Sequence, residues 1–253
     1  MAEIVEKIGT VSKRKPKVVV ISDVHLGTYG CQAQALLDYL RSVKPETLII
    51  NGDFIDIWQF RTSYFPPEHL QIVNRVLKLL ANGTNVYYLT GNHDDALRRF
   101  SDFTNGKFQL CDELILELGG KKHWFFHGDR FDISVKKTRW LAKIGGFAYE
   151  ILILLNRAYN RVTRIWRGRP SNFAHTIKAK VKGMVKKMDD FEAKAIKVGA
   201  AAGYDVVVCG HVHRPQMREA EGVLYLNSGD WIDSLTALEF ENDAWQLYRH
   251  QIT

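Results

Sequence analysis

The chain has 253 residues, 46% of them hydrophobic and 25% charged. That suits one large globular domain, or a domain with an insertion, and excludes a disordered or collagen-like chain. Cys31, Cys111 and Cys209 lie far apart with no CxxC pair, so a disulfide scaffold is excluded and a reducing compartment is expected. The net charge of +7 is unevenly placed: residues 132–187 hold fourteen cations against Asp132 and Glu150, a net +12 that leaves −5 for the rest. Such asymmetry points to an anionic partner for that segment: phosphate, nucleic acid or a membrane surface.

The first residues show no apolar signal core, so no signal peptide is expected. The most apolar window, residues 140–155, is broken by Lys143 and Glu150 and is too short to span a bilayer. Residues 17–22 (KVVVIS) and 47–51 (TLIIN) read as buried strands. Leu36, Leu37 and Leu40 place a helix over 32–42. Ile72, Val73, Val76, Leu77 and Leu80 place another over 70–80, with Gly83 at its end. Residues 86–90 give a third strand, and the βαβαβ rhythm predicts parallel pairing under helices. Two strands, 114–118 and 123–126, flank Gly119-Gly120 and predict a hairpin. Basic, helical sequence follows from about 135 to 202. Residues 206–209, 223–227, 235–240 and 245–250 read as strands, the last three meander-like. The expected organisation is a core of residues 1–131 and 203–253, with 132–202 as a helical insertion.

The chemistry-bearing residues follow strand ends: Asp23-Val24-His25, Gly52-Asp53 with Asp56 behind it, Gly91-Asn92-His93-Asp94, His127-Gly128-Asp129, and Gly210-His211-Val212-His213. In open α/β sheets ligands collect at the carboxyl ends of strands. Carboxylate, imidazole and amide oxygen without thiolate suit hard or borderline divalent ions. Asp-x-His and His-x-His can aim both side chains at one ion if the turn is extended. Seven such groups exceed a tetrahedral zinc site and suit two ions sharing a bridging carboxylate. His69, His123, His175 and His250 stand outside these motifs and read as structural. Asp94 and Asp129 read as supporting or turn residues rather than ligands.

The ordered motifs DVH, GD, GNHD, HG and GHVH, spanning residues 23–213, resemble those of the calcineurin-like metallophosphoesterases. The resemblance implies a four-layer α/β/β/α sandwich. It implies one ion on Asp23, His25, Asp53 and His213, and a second on Asp53, Asn92, His127 and His211. Two divalent ions are implied, Mn²⁺ first, with Zn²⁺ or Fe²⁺ as alternatives, readying a water for in-line attack on phosphorus. His93 is the candidate for stabilising or protonating the leaving oxygen, and Asp56 for orienting it; a purely structural hydrogen bond is the other reading of His93.

GDFIDIW, HGDRFD and GHVHRP are more similar to the UDP-2,3-diacylglucosamine pyrophosphatase family of lipid A synthesis than to the protein Ser/Thr phosphatases. That family's best-known members have GNRD where this chain has GNHD, so the chain resembles a divergent branch. The likeness implies hydrolysis of a lipid-linked nucleotide to UMP and a lipid 1-phosphate. It also implies a cytosolic enzyme that visits the inner membrane, and a Gram-negative source. In the insertion, Trp140, Ile144, Phe147, Ile151, Leu155, Ala158, Val162 and Ile165 recur at helical spacing beside Arg157, Arg161 and Arg164. This is a basic amphipathic helix suited to an anionic membrane surface, or a stripe packed on the body with solvated arginines. Asp132, Arg169, Ser171, Asn172 and Lys178 are candidates for binding the diphosphate or uridine, and a solvated loop is the other reading. Two further functions compete: a nuclease, disfavoured because no stacking platform is visible, and a membrane-docking module with a structural metal.

Overall fold

The computed structural model describes residues 13–58, 64–131 and 174–251, with residues 174–187 as helix backbone only. Seven strands form one sheet, in the order β12 (Ala244–Arg249), β11 (Thr236–Glu241), β1 (Val18–Ile21), β2 (Thr47–Asn51), β3 (Asn85–Leu89), β5 (Phe108–Cys111) and β4 (Phe103–Asn105), and five form a second, in the order β6 (Glu113–Leu118), β7 (Lys121–Phe126), β8 (Val206–Cys209), β10 (Val223–Asn227) and β9 (Gln216–Ala220). β1 (Val18–Ile21), β2 (Thr47–Asn51) and β3 (Asn85–Leu89) pair in parallel. Their connections are α1 (Ala33–Ser42) and α2 (Pro67–Ala81). Strands covered on both faces read as unbroken apolar runs, and β1 shows why. Val18 and Val20 enter a cluster shared with Phe125, Val206, Val208 and Leu226 of the second sheet. Val19 and Ile21 face Leu36, Leu37, Leu40 and Ile72 of the two helices.

α2 begins at Pro67, earlier than the apolar spacing predicts, because proline suits the first helical turn. Its buried face is Ile72, Val76 and Leu79, while Leu77 points outward. β4 (Phe103–Asn105) and β5 (Phe108–Cys111) complete the first sheet. They are short and partly polar, which hid them from the apolar pattern.

β6 (Glu113–Leu118) and β7 (Lys121–Phe126) form the expected hairpin, with Gly119 and Gly120 at φ 57° and 72°. Two adjacent positive φ values fit a turn matched to strand twist. β8 (Val206–Cys209) lies parallel to β7 and to β10 (Val223–Asn227). β9 (Gln216–Ala220) is an exposed edge strand whose charge concealed it. The expected final meander is divided. β10 belongs to the second sheet, whereas β11 (Thr236–Glu241) and β12 (Ala244–Arg249) form a hairpin on the first.

α3 (Ala174–Ala201) supplies the fourth layer through Phe191, Ala195 and Ile196, which pack on Trp124, Val207, Cys209 and Tyr225. The architecture is α/β/β/α. Residues 132–173, with the apolar stripe, Asp132, Arg169, Ser171 and Asn172, lie outside the described residues, as does the Lys178 side chain. Among the described residues no helix is long and apolar enough to cross a membrane.

Candidate metal centre

Asp23 and His25 follow β1, Asp53 and Asp56 follow β2, and Asn92 and His93 follow β3. His127 follows β7, and His211 and His213 follow β8. Both sheets therefore deliver these groups to one rim. Backbone hydrogen bonds tie the turns together: His25 N–H donates to Asp53 O (2.9 Å), Ile57 N–H to His93 O (3.0 Å) and Gly210 N–H to His127 O (3.0 Å). The turns are not extended, contrary to the expectation for Asp-x-His and His-x-His. Asp23, His25, Asp53, His211 and His213 have φ of 52°, 53°, 53°, 67° and 52°. This left-handed region costs an L-residue on the order of 1–2 kcal/mol. Aspartate and histidine tolerate it better than most, and such outliers cluster at functional sites.

Ligand-type atoms of Asp23, His25 and His213 lie within 4.8 Å of one another, as do those of Asp53, His127 and His211. His213 Nε2 is 3.1 Å from Asp23 Oδ1, and His127 Nε2 is 3.2 Å from Asp53 Oδ2. These are ion-pair approaches without hydrogen-bond alignment. Asp23 Oδ1, His25 Nε2, Asn92 Oδ1 and His127 Nε2 are buried with no hydrogen-bond partner. Buried polar atoms are almost always satisfied. A divalent cation fits a donor set of two carboxylates, imidazoles and an amide oxygen.

The opposite atoms are already engaged. Asp23 Oδ2 accepts from His211 N–H (3.0 Å), and Asp53 Oδ1 accepts from His93 N–H (2.8 Å). His127 Nδ1 sits 2.9 Å from Asn51 O. Nδ1 is therefore the donor, so Nε2 faces the centre and offers its lone pair there once it has lost its proton.

Electrostatics agree. Burial raises the Asp53 carboxyl, but His127, His93 and His25 outweigh it and hold it well below the usual range. Burial also raises Asp23, yet His213 brings it down to about 2. Burial depresses His127 and His213, but the carboxylates of Asp53 and Asp23 lift them to about 10 and about 9. In the metal-free chain imidazolium thus supplies the positive charge these buried carboxylates require.

Asp56 stands between two imidazoles, with Oδ2 3.1 Å from His25 Nδ1 and 2.8 Å from His93 Nδ1. Burial raises its carboxyl, but both histidines hold it far below the ordinary value. His93 itself is pushed down by burial and, more strongly, up by Asp56 and Asp53. The Trp58 ring packs on His93 at 4.7 Å, and its Nε1–H donates to Asp95 Oδ1 (3.1 Å). Nothing in the sequence pattern singled out Trp58, or Asp230, whose Oδ2 lies 3.9 Å from His213 Nδ1.

Asp94 accepts from Phe54 N–H, Gly91 N–H and Tyr88 O–H at 3.0, 2.6 and 2.6 Å, and so shapes the turn rather than facing the centre. Asp129 pairs with Arg98. His69 accepts from Gly27 N–H, and His123 from the Trp245 indole. His250 lies beside Trp231 and Tyr248, and the His175 side chain is outside the described residues.

An α/β/β/α sandwich whose two sheets present buried carboxylates and imidazoles at one rim defines a metal-dependent hydrolase. The chain belongs to the calcineurin-like phosphoesterase family, whose model matches residues 16–215. It is 27% identical over 240 residues to a UDP-2,3-diacylglucosamine hydrolase of Pseudomonas putida (strain F1), covering 91% of this chain and 97% of that protein. The protein of that name from Aliivibrio fischeri is 23% identical over 92% of this chain and 98% of its own length. The one from Ralstonia nicotianae is 28% identical over 85% and 83%. Similar solved structures include an archaeal phosphodiesterase (TM-score 0.45, 16% identity, 92% of this chain and 98% of that one). Another is Vps29 of Entamoeba histolytica complexed with Zn²⁺ (TM-score 0.44, 16%, 92% and 97%).

Proposed function

We propose that this phosphoesterase hydrolyses the diphosphate of UDP-2,3-diacylglucosamine, giving UMP and 2,3-diacylglucosamine 1-phosphate. The observation that carries this reading is the near full-length match to relatives bearing that name, 23% to 28% identical. The basic segment 132–187 supports it, because a lipid-linked substrate must be collected from an anionic surface. In this reading the protein is cytosolic and docks peripherally on the inner membrane.

Asp23, His25, Asp53 and His213 would hold one ion, and Asp53, Asn92, His127 and His211 a second. Two divalent ions, Mn²⁺ in this reading, would supply Lewis acidity there and lower the pKa of a water. The chain's own residues do the rest. Asn51 O fixes the His127 tautomer, and Asp56 holds His25 and His93. His93, whose Nδ1 stands 2.8 Å from Asp56 Oδ2, carries a proton at Nε2 toward the leaving oxygen.

Purified protein with Mn²⁺ should release UMP from UDP-2,3-diacylglucosamine. One observation favours a second reading, a smaller phosphodiester as substrate: His93 follows Asn92 where the best-known lipid A enzymes carry arginine. Turnover of bis(p-nitrophenyl) phosphate without UMP release would select it.

A further inference from the structure

We infer that Arg98 is a positioning residue that sets the gap between Asn92 and His127, so that both reach one ion. This rests on the metal assignment proposed above. The two ligands come from different sheets. Asn92 follows β3 of the first sheet, and His127 follows β7 of the second. His127 is held by Gly210 N–H, beside it in the second sheet, and by Asn51 O at the end of β2 in the first. Asn92 sits on the turn between Thr90 and a 3₁₀ segment, Asp95–Phe100, and Arg98 reaches back from that segment to both ligand-bearing turns. Its Nε donates to Thr90 Oγ1 (3.2 Å) and its Nη2 to Thr90 O (3.4 Å), two residues before Asn92. The same Nη2 donates to Asp129 Oδ2 (2.8 Å), two residues after His127.

The bridge is reinforced where the chain passes from one sheet to the other. Asp112 lies between β5 and β6. It accepts from Thr90 Oγ1 (2.5 Å) and Ser101 Oγ (2.9 Å) on one side and from Arg130 Nη2 (2.6 Å) on the other. Arg98 Nε stands 3.7 Å from the same carboxylate. A planar guanidinium with five fixed donors can hold a hydroxyl, a carbonyl and a carboxylate together, and a lysine cannot reproduce that fork. Asn92 Oδ1 is buried without a hydrogen-bond partner, so its position depends on the turn that carries it.

Mn²⁺ titration of metal-free protein, followed by the EPR signal of free Mn²⁺, tests this. The wild type should take up two ions. Arg98→Ala should keep one with unchanged affinity and weaken the other roughly 10- to 100-fold, the usual cost of removing a supporting partner. Arg98→Lys should recover part of the loss, and Arg99→Ala, at the exposed neighbour, should lose nothing. Asp129→Asn removes the bridge from the far side and should reproduce the defect, which covers the case of a misfolded Arg98→Ala. Added to Asn92→Ala, Arg98→Ala should weaken metal binding no further, since both act on one ligand. Two ions bound at wild-type affinity in both Arg98→Ala and Asp129→Asn would overturn the inference alone. A wild type that binds fewer than two ions would overturn the metal assignment and this inference with it.

Discussion

At the residue scale, the Asp56 carboxylate stands beside two imidazoles and so has two separable jobs. Replacing His93 by alanine breaks the His25, Asp56 and His93 cluster but leaves the Asp23, His25 and His213 cluster and the Asp53, His127 and His211 cluster intact. The expected result is a kcat lower by about 10²- to 10⁴-fold with two ions still bound, because a positioned proton donor contributes that much. Asp56→Ala also frees His25, whose Nδ1 it holds at 3.1 Å. It should therefore lose metal affinity as well as rate, and metal analysis of the two variants separates the roles. Equal metal content in both would remove Asp56 from the support of His25. The histidines paired with Asp53 and Asp23 also fix a pH dependence for the chain in chelator. His127 and His213 are raised to about 10 and about 9, above the ordinary 6.5 or so. Their contribution to stability is fully present below that ordinary value and is lost as pH rises through the folded values. Asp23, lowered to about 2, acts oppositely, its contribution being lost only as pH falls through that value. Thermal unfolding in chelator should show a midpoint that declines from about pH 6.5 to about pH 10. A midpoint that climbs over that range would contradict the pairing of these histidines with Asp53 and Asp23.

At the element scale, the turns after the strands matter more than the strands themselves. Gly91 has an ordinary φ, yet a Cβ there would overlap the Asp53 carboxylate and its backbone nitrogen. Gly91→Ala must therefore displace Asp53 or the β3 turn. It should abolish metal binding by both groups if Asp53 is shared, with a fall in unfolding midpoint that circular dichroism can follow. A Gly91→Ala variant that still binds two ions would show that Asp53 is not the bridge. Which strands exist, and which side chains end them, was legible because a doubly covered strand is a continuous apolar run and a buried Asp or His beyond it is out of place. The backbone of the turns was not legible. The Asp-x-His spacing suggested extended chain, whereas Asp23 and His25 are both left-handed. β4, β5 and β9 escaped because short or edge strands need no apolar pattern. Arg98 and Asp112 escaped because an ion pair between distant segments leaves no local periodicity.

At the scale of the whole molecule, the centre lies across the seam of the sandwich. Asp23, His25, Asp53 and Asn92 come from the seven-stranded sheet, and His127, His211 and His213 from the five-stranded one. The Asp23, His25 and His213 cluster and the Asp53, His127 and His211 cluster each mix residues of both sheets, so an ion held by either would join the sheets at the rim, beyond the apolar cluster that joins them below. The left-handed backbone of Asp23, His25, Asp53, His211 and His213, and the unpartnered Asp23 Oδ1, His25 Nε2, Asn92 Oδ1 and His127 Nε2, are costs of the fold that bound cations would offset. A ligand that binds only the folded chain stabilises it by about 2.7 kcal/mol at a concentration one hundred times its Kd. For a chain of this size each kcal/mol moves the midpoint by about 2–4 °C. Two such sites should separate Mn²⁺-saturated from chelated protein by roughly 10–20 °C. If ions join the sheets in this way, the chelated protein should also lose hydrogen-exchange protection first in the turns after β1, β2, β3, β7 and β8, while the strands between the sheets stay protected. Equal midpoints in Mn²⁺ and in chelator would mean that the rim does not hold cations, whatever the resemblance of its motifs.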